Sequence, residues 1–297
     1  MAKKERWGSK HEDKRNWKDY NRHLVKRGEF YLALNFIDRW LDEIRNMNKR
    51  KVGQPFTYPK SMIFFLAMIK QKGFDYRSLE GVMAALSNRV GPFPVISFSQ
   101  IRRRILELET SFKKKDGKRV AGCDGTGIKV TNRGEWIRQK WDVRRGWIKV
   151  TLLGDEKGDI LDVEVGNEEQ DEREAARTML ERNADDIAVV MMDGLHDCGD
   201  TFDKCDELGI KPAIKIRTNA SPKGYGPRAR EAREYLKKGY KQWSIDKDYG
   251  MRWPATEGIF SAVKRVFGES VQSHKPENMY REARLKFWAY QQLRDVN

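Results

Sequence analysis

Cysteine is scarce in this sequence: Cys123, Cys198 and Cys205 are the three in 297 residues. An odd count with no CxxC pair argues against both a disulfide framework and a zinc ribbon. His196, Cys198 and Cys205 also lack the usual metal-ligand spacings. Long apolar runs are missing as well. The longest, Met62 to Ile69, falls far short of the roughly 20 residues that span a bilayer, and no secretory signal precedes it. The expectation is a soluble cytoplasmic protein with no membrane partner. No GxxxxGK[ST] loop is present, and Gly125 and Gly127 are only a fragment of a dinucleotide fingerprint, so a nucleotide hydrolase is poorly supported. Acids are outnumbered, 44 against 59 lysines and arginines, for a formal net charge of +15. Such a surplus favours a polyanionic partner, DNA or RNA. Many housekeeping proteins are equally basic, so the charge names a partner class and no reaction.

Hydrophobic residues make up 39% of the chain, enough for one large domain or two ordinary ones. Residues 1–51 read as a basic arm and an amphipathic helix, with 15 lysines and arginines against 8 acids and with Trp7, Trp17, Tyr20 and Trp40 interleaved. Phe30, Leu34, Ile37, Trp40, Leu41 and Ile44 recur at three-and-four spacing, which predicts a helix over Glu29–Asn46. The arm either lies along phosphates or is a solvated tail. Residues 52–112 read as a helical DNA-binding region. Helices are predicted over Lys60–Gln71, Ser78–Leu86 and Ser99–Leu108, with Gly73 and Asp75 in the first turn and Arg102, Arg103 and Arg104 on the last helix. Helix, turn and basic helix is a helix-turn-helix pattern whose last helix enters a groove; the alternative is a plain bundle with a charged face. KKKDGK, Lys113–Lys118, is the expected boundary.

From residue 119 to 297 the pattern turns to alternation. Arg119–Val130, Trp147–Leu153 and Asp159–Val165 make three consecutive antiparallel strand candidates. A helix over Glu168–Asn183, capped by Asn167, leads to the wholly apolar Ile187–Met192, a central strand. Helices over Asp200–Leu208 and Arg228–Lys237 flank a strand at Pro212–Ile216, and two more, Pro254–Phe267 and Asn278–Leu293, close the chain. This is the element order of an α/β, ribonuclease H-like mixed sheet flanked by helices, preceded by the all-helical region.

Asp124 is the oddity in the first strand, RVAGCDGTGIKV. Either the strand stops at Cys123 and Asp124 opens a DG turn, or a carboxylate sits in a core strand and holds a cation. In the expected fold the first and fourth strands adjoin, which brings Asp124 beside Asp193. Two carboxylates that close repel unless a divalent cation lies between them, and Mg2+ suits such hard oxygen donors. A third acid is expected on a late helix, and Glu257 fits best because Lys264 follows seven positions on, two turns along the same face. Asp155, Asp162, Glu164, Asp197 and Glu269 read mostly as turn, cap or solvent-face acids, with Asp197 close to Asp193. Between the first two strands, Arg133, Arg138, Lys140, Arg144 and Arg145 alternate with Trp136, Trp141 and Trp147, a basic hairpin suited to phosphates and unstacked bases or packed under the sheet.

The segments GCDGTGIKV, VVMMDGLHD and TEGIFSAVKRVFGE resemble the three acid-bearing motifs of the DDE transposases of bacterial and archaeal insertion sequences. DYRSLEGV and ISFSQIRRRI resemble that family's amino-terminal helical region, so the likeness runs from about Pro55 to Leu293. The resemblance implies that Asp124, Asp193 and Glu257 hold two Mg2+ ions, with Mn2+ as a substitute. It implies cleavage and joining of double-stranded DNA at an element's terminal inverted repeats, a homodimer that pairs two ends, and nucleoid association. It also implies a Tyr-Arg-Glu-Lys signature with two, three and six intervening residues. Tyr249, Arg252, Glu257 and Lys264 give two, four and six, so the position of Arg252 departs from the pattern. Lys264 and Arg252 are then expected at the scissile phosphate, and Arg102, Arg103, Arg104, Arg138, Lys140, Arg144, Arg145 and Lys264 along DNA. The rival readings are a defective or domesticated DNA-binding derivative and a ribonuclease H-like nuclease.

Overall fold

The computed structural model describes residues 16–114, 116–130 and 146–296. Helix α1 (Trp17–Phe30) is opened by Asn16, whose side chain accepts from the amides of Lys18 and Asp19. The single helix predicted over Glu29–Asn46 is broken, because α1 ends at Phe30 and is followed by α2 (Asn35–Asp38) and α3 (Trp40–Asn48). Phe36 (2% exposed) and Trp40 (8%) are buried together against α4 (Lys60–Lys70) and the loop at Phe93, while Leu41, inward by the periodicity of one continuous helix, is 74% exposed. Helices α5 (Tyr76–Val90) and α6 (Phe98–Glu107) complete the helical region. α5 starts earlier than predicted because the Asp75 carboxylate caps it, accepting from the Ser78 amide at 2.7 Å.

The sheet is ordered β3-β2-β1-β4-β5, from β1 (Arg119–Lys129), β2 (Trp147–Asp155), β3 (Ile160–Gly166), β4 (Ile187–Met192) and β5 (Lys211–Ile214). β1, β2 and β3 pair antiparallel, whereas β4 runs parallel to β1 and β5 parallel to β4. This is the ribonuclease H-like mixed sheet. Its two parallel pairs need crossovers, supplied after β3 by α7 (Glu172–Arg182) and after β4 by α8 (Gly199–Glu207). α7 begins at Glu172 instead of Glu168, since Asp171 and not Asn167 caps it, accepting from the Arg173 amide at 2.9 Å. After β5 come α9 (Pro227–Asp246), which outruns its predicted end and bends at Gly239 (φ +73°), then α10 (Arg252–Ala255), α11 (Glu257–Phe267) and α12 (Pro276–Arg294).

Strand alternation decides what each face of β1 meets. Ala121 and Cys123 join the core under α7 and α8, with Met179, Leu180 and Phe202. Ile128 points the other way, into a core with Ile259, Val263 and Phe287 of α11 and α12. That second core continues into Leu66, Leu79 and Ile105 of the helical region, with Phe64 edge-on to Trp288 at 5.0 Å. Gly122 matters on this face, because a Cβ there would stand 2.8 Å from the Ala255 Cβ and 3.0 Å from the Thr256 Cγ2. Its hydrogen lets the α10–α11 junction rest directly on the strand.

Beyond β4 the chain makes one tight 3-10 turn, Gly194–His196. Asp197 (side chain 0% exposed) locks it. Its carboxylate takes a two-point contact from Arg228, 2.7 and 3.1 Å, and accepts the Arg217 amide at 3.0 Å. The Arg217 guanidinium in turn donates to the carbonyls of Gly194 and Leu195, at 2.5 and 3.0 Å. His196 is fully buried, and neither ring nitrogen meets a protein partner among the described residues. Burial lowers its pKa to about 4; Arg173 and Arg177 push the same way, while Asp193 and Asp171 oppose.

Two outcomes follow for stability. Arg228→Ala strands a buried carboxylate and should cost about 3 kcal/mol in denaturant unfolding at neutral pH; a loss below about 0.5 kcal/mol, the size of an ordinary surface change, would show that the pair does not hold the turn. His196 stays neutral in the fold down to about pH 4, while the unfolded chain protonates it near its ordinary 6.5. Its contribution is therefore complete above pH 6.5 and is lost as pH falls towards 4. His196→Phe should shrink the stability difference between pH 7 and pH 4 by roughly 3 kcal/mol, and an unchanged difference would contradict it.

Candidate active site at the ends of β1 and β4

The parallel pairing of β1 with β4 ends at Cys123 and Met192. Asp124 and Asp193 are the next residue on each strand, at the carboxyl edge of the parallel part of the sheet, where open α/β sheets bind ligands. Asp124 remains inside β1, opposite Leu152 of β2, so the DG-turn alternative is excluded. Its Oδ1 accepts from the Gly125 amide at 2.9 Å and its Oδ2 from Arg252 Nη1 at 2.5 Å. Burial pushes the Asp124 pKa above the usual carboxylate range; Arg252 and the Gly125 amide pull it down, and Asp193 adds to the rise. Asp193 Oδ1 accepts from the Leu195 amide at 2.8 Å, which leaves its loop held by the Asp197 clamp.

Arg252 opens α10 and is set by Tyr249. The Tyr249 hydroxyl donates to the Met192 carbonyl at 2.8 Å, one residue before Asp193, and its ring lies 5.8 Å from the guanidinium carbon. Between Arg252 and Glu257 the helix breaks: Thr256, at φ −130° and ψ −76°, separates α10 from α11. One long helix over Pro254–Phe267 is thus replaced by two, and Arg252 reaches Asp124. Lys264 Nζ donates to Thr126 Oγ1 at 2.7 Å, on the face of β1 that also carries Asp124. Burial lowers the Lys264 pKa, and Glu269 and Glu257 oppose that shift. Glu257 is the exposed first residue of α11, two turns from Lys264 on the same helix face.

Asp124, Asp193 and Arg252 therefore meet where the β1–β4 pairing stops, Lys264 reaches β1 two residues farther on at Thr126, and Glu257 heads the helix that carries Lys264. Among the described residues no group of three or more His, Cys, Asp or Glu side chains forms a metal cage. The donor chemistry of the Asp124–Asp193 pair nonetheless suits Mg2+, which takes one or two carboxylates and fills its shell with water and phosphate oxygens. Glu172 is a neighbour that sequence reading missed. Its carboxyl covers Gly125, where a Cβ would collide with it, and its pKa is raised by burial and then by Asp124. In the sequence it is one acid of a helix first turn, a position that any helix dipole favours. The competing acids have other work: Asp155 accepts the amides of Lys157 and Asp159, Asp162 and Glu164 pair with Arg182, and Glu269 pairs with Lys129. Asp162 is buried and not on a solvent face.

Of the expected DNA contacts, Arg102 and Arg103 are exposed on α6, while Arg104 turns in over the Tyr58 ring at 5.3 Å. Arg138, Lys140, Arg144 and Arg145 lie outside the described residues.

No curated protein matches the chain. Among solved structures, a simian T-cell lymphotropic virus intasome in complex with the PP2A regulatory subunit B56 gamma is similar at 12% identity, over 69% of this chain and 72% of that one, with a TM-score of 0.25. A pre-cleavage Mos1 transpososome is similar at 9% identity, over 94% of this chain and 95% of that one, with a TM-score of 0.24. A family model described as "Transposase DDE domain" matches residues 115–291, and a second with the same description matches residues 25–133. The first of these takes in all five strands, both crossover helices, and the elements that bear Asp124, Asp193, Arg252 and Lys264: the chain belongs to the DDE-domain transposase family.

Proposed function

We propose that this transposase serves an insertion sequence: it binds the terminal inverted repeats and performs metal-dependent DNA cleavage and strand transfer. The observation that carries this reading is the side-by-side placement of Asp124 and Asp193 at the strand ends, with Arg252 on the first of them. Asp124 and Asp193 would hold Mg2+, or Mn2+ in its place, with Glu257 as the third carboxylate from the head of α11. When bound, such ions activate a water or 3′-hydroxyl nucleophile and stabilise the leaving oxygen of an in-line phosphoryl transfer.

The chain's own residues supply the positioning. Asp193 is held by the Leu195 amide inside a turn clamped by Arg217 and Asp197. Arg252, fixed by Asp124 and Tyr249, presents a planar fork suited to phosphate oxygens. Lys264 brings a second cation to the same strand face. Phosphates farther from the scissile bond fall to Arg102, Arg103 and Arg104 and to the hairpin cations Arg138, Lys140, Arg144 and Arg145. Joining two element ends calls for a homodimer, and a cytoplasmic, nucleoid-associated protein is the consistent setting.

Purified protein with Mg2+ or Mn2+ should cleave DNA that carries the element's ends. Asp124→Ala, Asp193→Ala and Glu257→Ala should each reduce cleavage by at least about a thousandfold, the scale at which single phosphoryl-transfer groups act, and leave binding largely intact. Activity that persists in one of these variants removes that residue from the site. In the genome, short inverted repeats bordered by duplicated target sequence should flank the gene. Their absence would favour a domesticated DNA-binding derivative.

A further inference from the structure

Away from the carboxylates, a cleft of about 630 Å³ opens between the helical region and the segment that leads into α12. Its walls bring together residues far apart in sequence: Lys70, Arg77 and Arg102 on one side, His274 and Lys275 on the other. Two acids, Asp75 and Glu282, also line it, and both are committed elsewhere. Asp75 caps α5 through the Ser78 amide at 2.7 Å. Glu282 accepts from the amides of Gln272 and Ser273, at 2.8 and 2.9 Å, and from the Ser273 hydroxyl at 2.7 Å. Lys70 donates to Gln272 Oε1 at 2.8 Å, which ties the helical region to the segment on the other side of the cleft. Arg77, Arg102, His274 and Lys275 are exposed, and the Arg77 guanidinium rests over the Phe98 ring at 4.9 Å.

The walls of this cleft thus set four cations, Lys70, Arg77, Arg102 and Lys275, against two carboxylates, each of which already accepts from a backbone amide of its own neighbourhood. We propose that the cleft seats the sugar-phosphate backbone of duplex DNA, at a site separate from Asp124 and Asp193 and joined from both halves of the chain. The assignment of DNA, and not another polyanion, rests on the transposase reading above. The cleft would hold the duplex by phosphate contact, without reading bases, and so fix its register relative to the strand ends.

The test uses the full chain without divalent metal and a fluorescent 30-base-pair duplex of arbitrary sequence, followed by anisotropy across a salt series. Arg77→Glu and Lys275→Glu should each weaken binding about tenfold at moderate salt and lower the slope of log affinity against log salt by about one. Lys157→Glu, the same charge change at the exposed β2–β3 turn, should stay within about twofold of wild type, as bulk charge alone would dictate. Thermal unfolding of each variant checks that the fold is kept. Cleft variants no weaker than Lys157→Glu would overturn the cleft and leave the transposase reading standing. An equal loss of polyglutamate binding would mark a generic anion surface and overturn the assignment to DNA. A wild-type chain that binds no duplex would overturn both readings, whereas one that binds through the cleft but fails to cleave overturns the catalytic reading alone.

Discussion

Everything at the candidate site depends on the parallel ladder between β1 and β4, because it ends two strands on adjacent carboxylates. Left to themselves, Asp124 and Asp193 oppose the fold: Asp124 is desolvated, and each carboxylate repels the other. The hydrophobic faces of the sheet impose the arrangement regardless. A one-residue slip of β1 would move Ala121 and Cys123 out of one core and Ile128 out of the other. The cost of placing like charges together is therefore borne by burial elsewhere in the strand, and neighbouring groups reduce it. Arg252 meets Asp124, the Leu195 amide meets Asp193, and the Tyr249 hydroxyl ties the Arg252 turn to the end of β4.

That arrangement explains why glycine flanks Asp124 on both faces of the strand. At Gly122 the missing side chain admits Ala255 and Thr256, so that the α10–α11 junction bearing Arg252 comes down onto β1. At Gly125, on the opposite face, it admits the Glu172 carboxyl. Asp124 thus has a cation on its own side and another acid across the strand. The Asp197 clamp does the corresponding service for Asp193, since Arg217 spends its guanidinium on the two carbonyls that follow that residue. A buried ion pair of this kind contributes geometry more than net stability.

Much of this was legible in the sequence because it rests on period and polarity. The strands of the sheet, the apolar β4 that stops at an acid, and the Glu257-to-Lys264 spacing follow from alternation and helical repeat. Other features depend on contacts that no local window carries. The break of Glu29–Asn46 into three pieces comes with contacts to distant segments, Phe36 on Phe65 and Phe93 and Trp40 on Phe93, that the window itself does not contain. The break at Thr256 is invisible in a run that reads as continuous helix, yet it separates the short helix that Arg252 opens from the one that Glu257 opens. Glu172 hid among the acids of a helix start, and the Arg228–Asp197 pair joins residues on separate elements.

The boundary at Lys113–Lys118 shows where composition and energetics diverge. A run of lysines around a glycine reads as an exposed linker, which implies that each side could bury its own apolar residues. The apolar residues do not divide there: Leu79 and Ile105 belong to the same buried cluster as Ile128 and Phe287. Phe64 on Trp288, Lys70 on Gln272 and Arg284 on Thr110 cross the same line. The helical region consequently packs as a wall of the sheet's own core, and α12 is the element that both sides need. Removing that helix would expose the α11 side that carries Ile259 and Val263, with the helix that positions Lys264, and the inner faces of α4 and α5 together. The orientation of the arginine-bearing α6 relative to Asp124 is thus fixed by shared apolar packing, which resists deformation because interiors are close-packed.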